Sequence, residues 1–234
     1  MNTEAFDILR ELENTWWHKG RKAAVMKALH AAGAPVGGSV FDVGAGYGGM
    51  FNTLSTFGNV DGSEPEAEAR AVAETRGYRK FFDTHKAVLS EGGQYQLIGA
   101  FDVIEHIEDD VQFVKELSQL TVQGGHLVAT VPAFQFLWGV HDVTHMHYRR
   151  HTTASMRKLL EGAGYEICHA RYWNVFLFPV ALVMRLLGRS GESGLHPHPL
   201  VRSVLQVLIW IEVRVVRYLP IPFGLSVVIV GRKS

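Results

Sequence analysis

Phe41-Asp42-Val43-Gly44-Ala45-Gly46-Tyr47-Gly48-Gly49 is the stretch from which the rest of the chain is read. Residues 39–43 form a short apolar run entering a cluster of four glycines, Gly44, Gly46, Gly48 and Gly49. Glycines there allow a tight turn and close approach of backbone to a ligand. A strand, a turn and a helix are expected in that order. Working outward, 59–62 reads as a second strand, 65–76 as a helix, and 95–101 as a further buried strand ahead of an acidic turn. Val111, Val114, Leu117 and Leu120 form one helical face, with Asp109 and Asp110 where the helix dipole favours negative charge. Gly124 and Gly125 end that helix, and 126–131 is a strand stopped by Pro132. Strands and helices alternate, so parallel βαβ units covered on both faces are the expected architecture.

The flanks add helices. Phe6, Leu9, Leu12, Trp16, Val25, Met26 and Leu29 recur at mostly helical spacing, interrupted by a polar stretch at 18–22, which predicts two N-terminal helices. After a histidine-rich loop at 141–151, residues 152–163 read as a helix, 165–173 as a strand and 226–230 as a final strand. Between the last two strands lie two apolar stretches, 175–187 and 200–219, joined by a Gly, Ser, His and Pro linker. Neither reaches the roughly 20 uninterrupted apolar residues of a membrane span, and Arg185, Glu212, Arg214 and Arg217 break them. The expectation is one domain: a helical cap at 1–35, a cofactor-binding core at 36–172, an apolar helical insertion at 173–223 and a last strand at 224–234.

A chain of 234 residues suits one α/β domain with an appendage. Its formal net charge is +0, so no basic face for nucleic acid is expected. Charge is uneven, however: from residue 171 onward eight Arg or Lys stand against two acids, Glu192 and Glu212. The lone Cys168 excludes an internal disulfide and fits a reducing compartment. Residues 1–13 carry acids where a signal peptide would be basic and apolar, so a cytoplasmic protein is expected, with peripheral contact at the inner face of a membrane as a further expectation.

Gly44, Gly46 and Gly49 also satisfy the dinucleotide-binding pattern, so the glycines alone do not choose the ligand. Asp42 does. A carboxylate two residues before Gly44 suits a cationic amino acid moiety and would repel a pyrophosphate, which favours S-adenosylmethionine over NAD. Glu64, at the end of the second strand, is placed to accept hydrogen bonds from both ribose hydroxyls, with Asp61 as its competitor.

The chain resembles the class I S-adenosylmethionine-dependent methyltransferases, especially the branch similar to ubiquinone-biosynthesis O-methyltransferases. The likeness rests on Trp16-Trp17 followed by Gly20-Arg21, the glycine loop, Phe101-Asp102-Val103-Ile104-Glu105-His106, the Gly124-Gly125 turn, Val131-Pro132 and Pro222-Phe223-Gly224-Leu225-Ser226. Where these families carry Phe-Asp at the start of strand four, this chain has Tyr95-Gln96. The resemblance implies a Rossmann-like, mostly parallel seven-stranded sheet with an antiparallel last strand. It implies site residues Asp102, Glu105 and His106 on the turn after strand four. Phe82 and Asp83 are candidates for the adenine, as an aromatic face and a carboxylate suit a purine and its amino group. The expected cofactor contacts are therefore Asp42, Gly44, Ala45, Gly46, Glu64, Asp83, Phe101 and Asp102.

Methyl transfer needs the acceptor aligned in line with the sulfonium methyl, and often a base. His106, assisted by Asp102, is the expected catalytic pair, since imidazole titrates near neutral pH. A helix-start histidine that only packs is the plainer alternative. Asp102, Glu105 and His106 could also offer ligands to one divalent cation, as the resemblance would permit, and the histidines of the second cluster could form a zinc site, but no cysteine supports the latter. No metal is carried forward as an expectation. His141, His147, Tyr148 and Arg149 are expected to line the acceptor site, and Arg149 or Arg150 to hold a phosphate or carboxylate. In the insertion, Leu200, Val204, Leu208, Ile211 and Val215 form one stripe beside Arg202, Arg214 and Arg217, which fits a lid touching lipid, a cover over the sheet or a homodimer contact. The function expected is methyl transfer to a small or lipid-linked acceptor at oxygen. The alternatives are an NAD-dependent oxidoreductase and a non-catalytic, membrane-associated S-adenosylmethionine-binding protein.

Overall fold

The computed structural model describes residues 15–187, 199–214 and 221–234. Its elements are α1 (Trp16–Ala31), β1 (Gly38–Val43), α2 (Phe51–Leu54), β2 (Gly58–Ser63), α3 (Ala67–Ala73), β3 (Phe81–Phe82), α4 (His85–Ser90) and β4 (Tyr95–Phe101). There follow α5 (Asp110–Leu120), β5 (Thr121–Pro132), α6 (Val140–Thr144), α7 (Thr153–Glu161), β6 (Tyr165–Trp173), α8 (Phe178–Leu186), α9 (Pro199–Arg214) and β7 (Ser226–Lys233). One seven-stranded sheet runs in the order β3-β2-β1-β4-β5-β7-β6. β1 to β5 pair in parallel, and β7 inserts antiparallel between β5 and β6, as expected.

Strand alternation builds two cores. Phe41, Ile98, Leu127 and Ala129 face the side covered by α5 and α7, with Leu117, Leu120, Met156 and Leu160. Val40, Leu97 and Val128 face the other side, with Val25 and Leu29 of α1 and Leu54 of α2. Parallel strands put the C-terminal ends of β1, β2, β4 and β5 on one edge, where α/β sheets bind ligands.

Local chemistry sets the helix starts. Thr15 caps α1 by accepting from the His18 amide, and Asp109 caps α5 by accepting from the Gln112 amide at 2.9 Å. Four expectations are corrected. The polar stretch at 18–22 does not interrupt a helix: α1 runs through it, because Gly20 and Arg21 are buried against the molecule; the helix expected before it lies outside the described residues. The buried face of α5 is Phe113, Val114, Leu117 and Leu120, with Val111 exposed, since a strict three-residue spacing drifts off a 3.6-residue helix. Gly124 and Gly125 do not end α5; they sit inside β5, where the pairing with β4 jumps from Tyr95↔Thr121 to Leu97↔His126. The loop at 141–151 contains α6.

The insertion forms α8 and α9. No helix among the described residues is long and apolar enough to cross a membrane. α9 lies against α1, and its buried Glu212 accepts hydrogen bonds from the Asn174 and Val175 amides, the latter at 2.8 Å, fastening the insertion to the end of β6. The expected apolar stripe is rotated: Val204 is exposed while Leu205, Leu208 and Ile211 are half-buried. Val215 and Arg217 fall outside the described residues, as do the side chains of Leu200 and Arg202.

Candidate functional site

The loop after β1 turns over the sheet edge with Gly44, Gly46 and Gly48 all at positive φ, at 63°, 55° and 80°. Gly44 has a second constraint: a Cβ there would lie 2.7 Å from Val103 Cγ2. At Gly46 a Cβ would meet nothing within 4 Å, so the loop turns bare backbone toward open space. The Ala45 amide, donating to the Ser63 carbonyl at 2.9 Å, anchors the loop to β2.

Glu64 follows β2 and is buried. One carboxylate oxygen accepts from the Gly46 amide at 2.8 Å and the other from the Glu66 amide at 3.0 Å, so the side chain is fixed beside the glycine loop. Each oxygen retains a lone pair for a hydroxyl. Its competitor Asp61 is occupied, accepting from Arg79 through two nitrogens at 2.9 and 2.6 Å and from the Tyr95 hydroxyl at 2.9 Å. Asp42 lies beneath the loop and accepts from the Tyr78 hydroxyl at 2.7 Å. Burial pushes its carboxyl up to about 7, against the Tyr78 hydrogen bond and the charge of Arg21. Neither Tyr78 nor Arg21 was among the residues expected from sequence.

After β4 the chain turns sharply at Asp102, a non-glycine residue at φ 56°. Arg21 of α1 donates to one Asp102 oxygen at 2.6 Å and the Thr130 hydroxyl to the other at 2.9 Å. A second Arg21 nitrogen donates to His18 Nδ1 at 3.0 Å, and burial, then the Arg21 charge, push the His18 imidazole down to about 3. Phe101 turns its ring back against Gly99 and Leu54, inside the core. Asp83, beyond β3, is largely exposed and paired with Arg70 at 2.5 Å.

The other half of the site joins the turn after β4 to the histidine-rich segment. The Tyr148 amide donates to the Glu105 carbonyl at 2.7 Å. Glu105 is 0% exposed, and neither of its carboxyl oxygens has a hydrogen-bond partner among the described residues. Burial, then the charge of Asp102, hold that carboxyl well above the usual range. An unpaired buried polar group costs about 1–3 kcal/mol, so its retention calls for a reason. One donor atom from each of Glu105, His106 and His147 lies within 4.8 Å of the others. Burial, then the adjacent His147, lower the His106 imidazole, against the charge of Asp102.

His147 Nδ1 meets Asp142 at 2.9 Å, and Arg150 grips the same carboxylate with two nitrogens at 2.7 and 2.9 Å. Burial works against ionisation of Asp142, but the hydrogen bonds from His147 and Arg150 outweigh it and lower its pKa. His141 is exposed and lies against His145, with ring centroids 3.9 Å apart and the rings tilted by 37°. Both arginines proposed to hold an acceptor anion are already engaged: Arg149 with Asp110 at 2.8 Å and the Glu108 carbonyl at 2.5 Å, Arg150 with Asp142. Through these contacts their guanidinium groups brace the loop.

A family model described as a methyltransferase domain matches residues 16–170. No curated protein sequence matches the chain. Among solved structures, a SAM-dependent methyltransferase from Archaeoglobus fulgidus superposes with a TM-score of 0.58 at 11% identity, over 92% of this chain and 94% of that one. Magnesium protoporphyrin IX methyltransferase from Synechocystis PCC 6803, solved with bound SAM, gives 0.55 at 17% identity over 93% and 80%. The [4+2]-cyclase SpnF gives 0.58 at 15% over 92% and 81%, so the same fold also carries other chemistry.

Proposed function

The chain belongs to the methyltransferase-domain family, with S-adenosylmethionine as its cofactor, and on that premise we propose that it methylates an oxygen of a small or lipid-linked acceptor. The observation that carries the placement is Glu64, held by the Gly46 and Glu66 amides beside a loop whose Gly46 faces open space. In this reading Glu64 takes the ribose hydroxyls, Gly44, Ala45 and Gly46 give the backbone approach, and Asp83 borders the adenine. Asp42 acts from beneath the loop on the amino acid end. Asp102 is a positioning residue: with its oxygens taken by Arg21 and Thr130, it fixes the turn and shares in cofactor binding through its backbone, as Phe101 does.

The acceptor sits on the His106, His141, His147 and Tyr148 side. Held by Glu64 and the glycine loop, S-adenosylmethionine would supply an electrophilic methyl to the acceptor oxygen and leave as the thioether, and the Glu105, His106 and His147 cluster would receive the acceptor's proton. A lipid-linked acceptor and peripheral membrane contact are supported by the exposed apolar side chains of α8, among them Val180, Val183 and Leu186. The proposed homodimer would use the same face. Calorimetric titration with S-adenosylmethionine, S-adenosylhomocysteine and NAD tests the cofactor half. Micromolar binding of the first two alone is expected, and NAD binding alone would overturn it. Release of S-adenosylhomocysteine across an acceptor panel then tests the oxygen assignment.

A further inference from the structure

We propose that Glu105, His106 and His147 bind one divalent first-row transition cation, of the zinc, manganese or iron(II) type, and that this cation holds the acceptor's oxygen. The three donors come from two segments 41 positions apart, the turn after β4 and the loop after α6, and converge within 4.8 Å. Ligand atoms on one tetrahedral cation of this type stand about 3.4 Å apart, so donors already within 4.8 Å of one another close on an ion through an inward shift of the side chains. Glu105 supplies the second observation: a fully buried carboxyl whose oxygens have no partner among the described residues, in the donor set itself.

The surroundings are arranged as they are around metal-binding histidines. Asp142 accepts a hydrogen bond from His147 Nδ1 at 2.9 Å, which fixes the ring and leaves Nε2 as its ligand atom. Arg150 and the Gly139 amide, at 2.8 Å, hold Asp142 in turn. The Tyr148 amide ties the two segments together at Glu105. Two imidazoles and one carboxylate suit transition cations, whereas Ca2+ and Mg2+ favour all-oxygen sets. Glu105 is buried and His106 exposed, so the open coordination positions face outward, where the acceptor is placed. A cation there lowers the pKa of an oxygen bound to it. The acceptor proton then leaves to solvent when the oxygen binds, and the transfer step itself forms carbon–oxygen and breaks sulfur–carbon with no further proton movement. His106 would then serve as a ligand in place of a base. The sequence offers Asp102, Glu105 and His106 for a cation, or the second cluster's histidines for zinc; the fold instead joins Glu105 and His106 to His147 and leaves the Asp102 oxygens with Arg21 and Thr130.

The role toward the acceptor rests on methyl transfer being the activity; the cation site does not. The full chain, stripped with a chelator, is titrated with Zn2+ by calorimetry and with Co2+ by visible absorption, without acceptor. One ion per chain is expected, with ligand-field bands on Co2+ binding. Glu105→Gln and His147→Ala are expected to weaken binding by about 100-fold or more, and Asp142→Asn by about 10- to 100-fold. His141→Ala, outside the donor set, should bind as wild type. S-adenosylmethionine affinity measured on the same variants reports whether each is folded and tests the methyl-donor reading separately. No stoichiometric binding by the wild type, or unchanged binding in folded Glu105→Gln and His147→Ala, would overturn the proposal.

Discussion

Gly44 and Gly46 are two residues apart in one loop, yet alanine at each should fail in a different way. Both have positive φ, 63° and 55°, where a side chain costs about 1–2 kcal/mol. At Gly44 the new methyl would also sit 2.7 Å and 3.3 Å from the two methyls of Val103. Val103 is β-branched and stiff, so this overpacking adds about 1–3 kcal/mol. Gly44→Ala should therefore lose about 2–5 kcal/mol, roughly 4–20 °C in Tm for a chain of this size, and Gly46→Ala only about 1–2 kcal/mol. In the absence of ligand nothing is within 4 Å of the added methyl at Gly46. With the methyl donor bound, that space is where backbone and ligand must touch, so Gly46→Ala should lose more than tenfold in affinity, about 1.4 kcal/mol. Thermal melts of the ligand-free protein and calorimetry with S-adenosylmethionine read the two effects apart. If Gly46→Ala binds as tightly as wild type, the ligand does not lie against this loop; if Gly44→Ala melts with the wild type, the close approach to Val103 is not a constraint.

Three further outcomes follow from the same structure. Arg21→Ala should destabilise by about 2–3 kcal/mol, below the 3–5 of a fully buried pair because the Asp102 side chain is 30% exposed, and urea unfolding measures it. Asp42 is buried with Tyr78, Arg21 and Glu64 as its charged or titratable neighbours, and its carboxyl is raised from 3.8 to about 7. The folded state then holds a proton the unfolded state has lost, so this contribution is complete below about pH 4 and disappears as pH rises to 7. It amounts to about 4 kcal/mol, and Asp42→Asn should flatten that part of the stability profile. Finally, Leu186→Asp with Val183→Asp, on exposed positions of α8, should reduce sedimentation with anionic lipid vesicles and leave the Tm unchanged; equal sedimentation would place lipid contact elsewhere.

Much of this fold was legible because its signals are local. β4 and β6 start and end where alternation and flanking turns put them, and Asp109 caps α5 as its position suggests. The position of Glu64 beside the glycine loop is legible for the same reason: it directly follows β2, and the end of a strand is a fixed place in an α/β sheet. The rest of the site depends on pairs far apart in sequence. Arg21 and Asp102 are 81 residues apart, Tyr78 and Asp42 are 36 apart, and no periodicity relates either pair. The polar stretch at 18–22 was read as a break because polarity suggests solvent, whereas Arg21 is polar toward the site. The partners of Arg149 and Arg150 are equally illegible in the sequence, because only the folded loop brings Asp110 to Arg149 and Asp142 to Arg150.

The local rules fail together at one edge of the sheet. Asp102, Phe134 and Asn174 are non-glycine residues at φ 56°, 60° and 62°, and each lies within two residues of the end of β4, β5 or β6. Such conformations cost about 1–3 kcal/mol each and persist only where the surroundings enforce them. Here they do. The Asp102 amide donates to Thr130 at 2.9 Å, the Phe134 amide to His151 at 2.9 Å, and the Asn174 amide to the carboxylate of Glu212. Each strand is thus turned abruptly at its C-terminal end, and the turns direct the chain into the segments carrying Glu105, His147 and α8. The strain at this edge and the buried carboxyl of Glu105 beside it, which has no hydrogen-bond partner among the described residues, are costs concentrated on the side proposed for the acceptor.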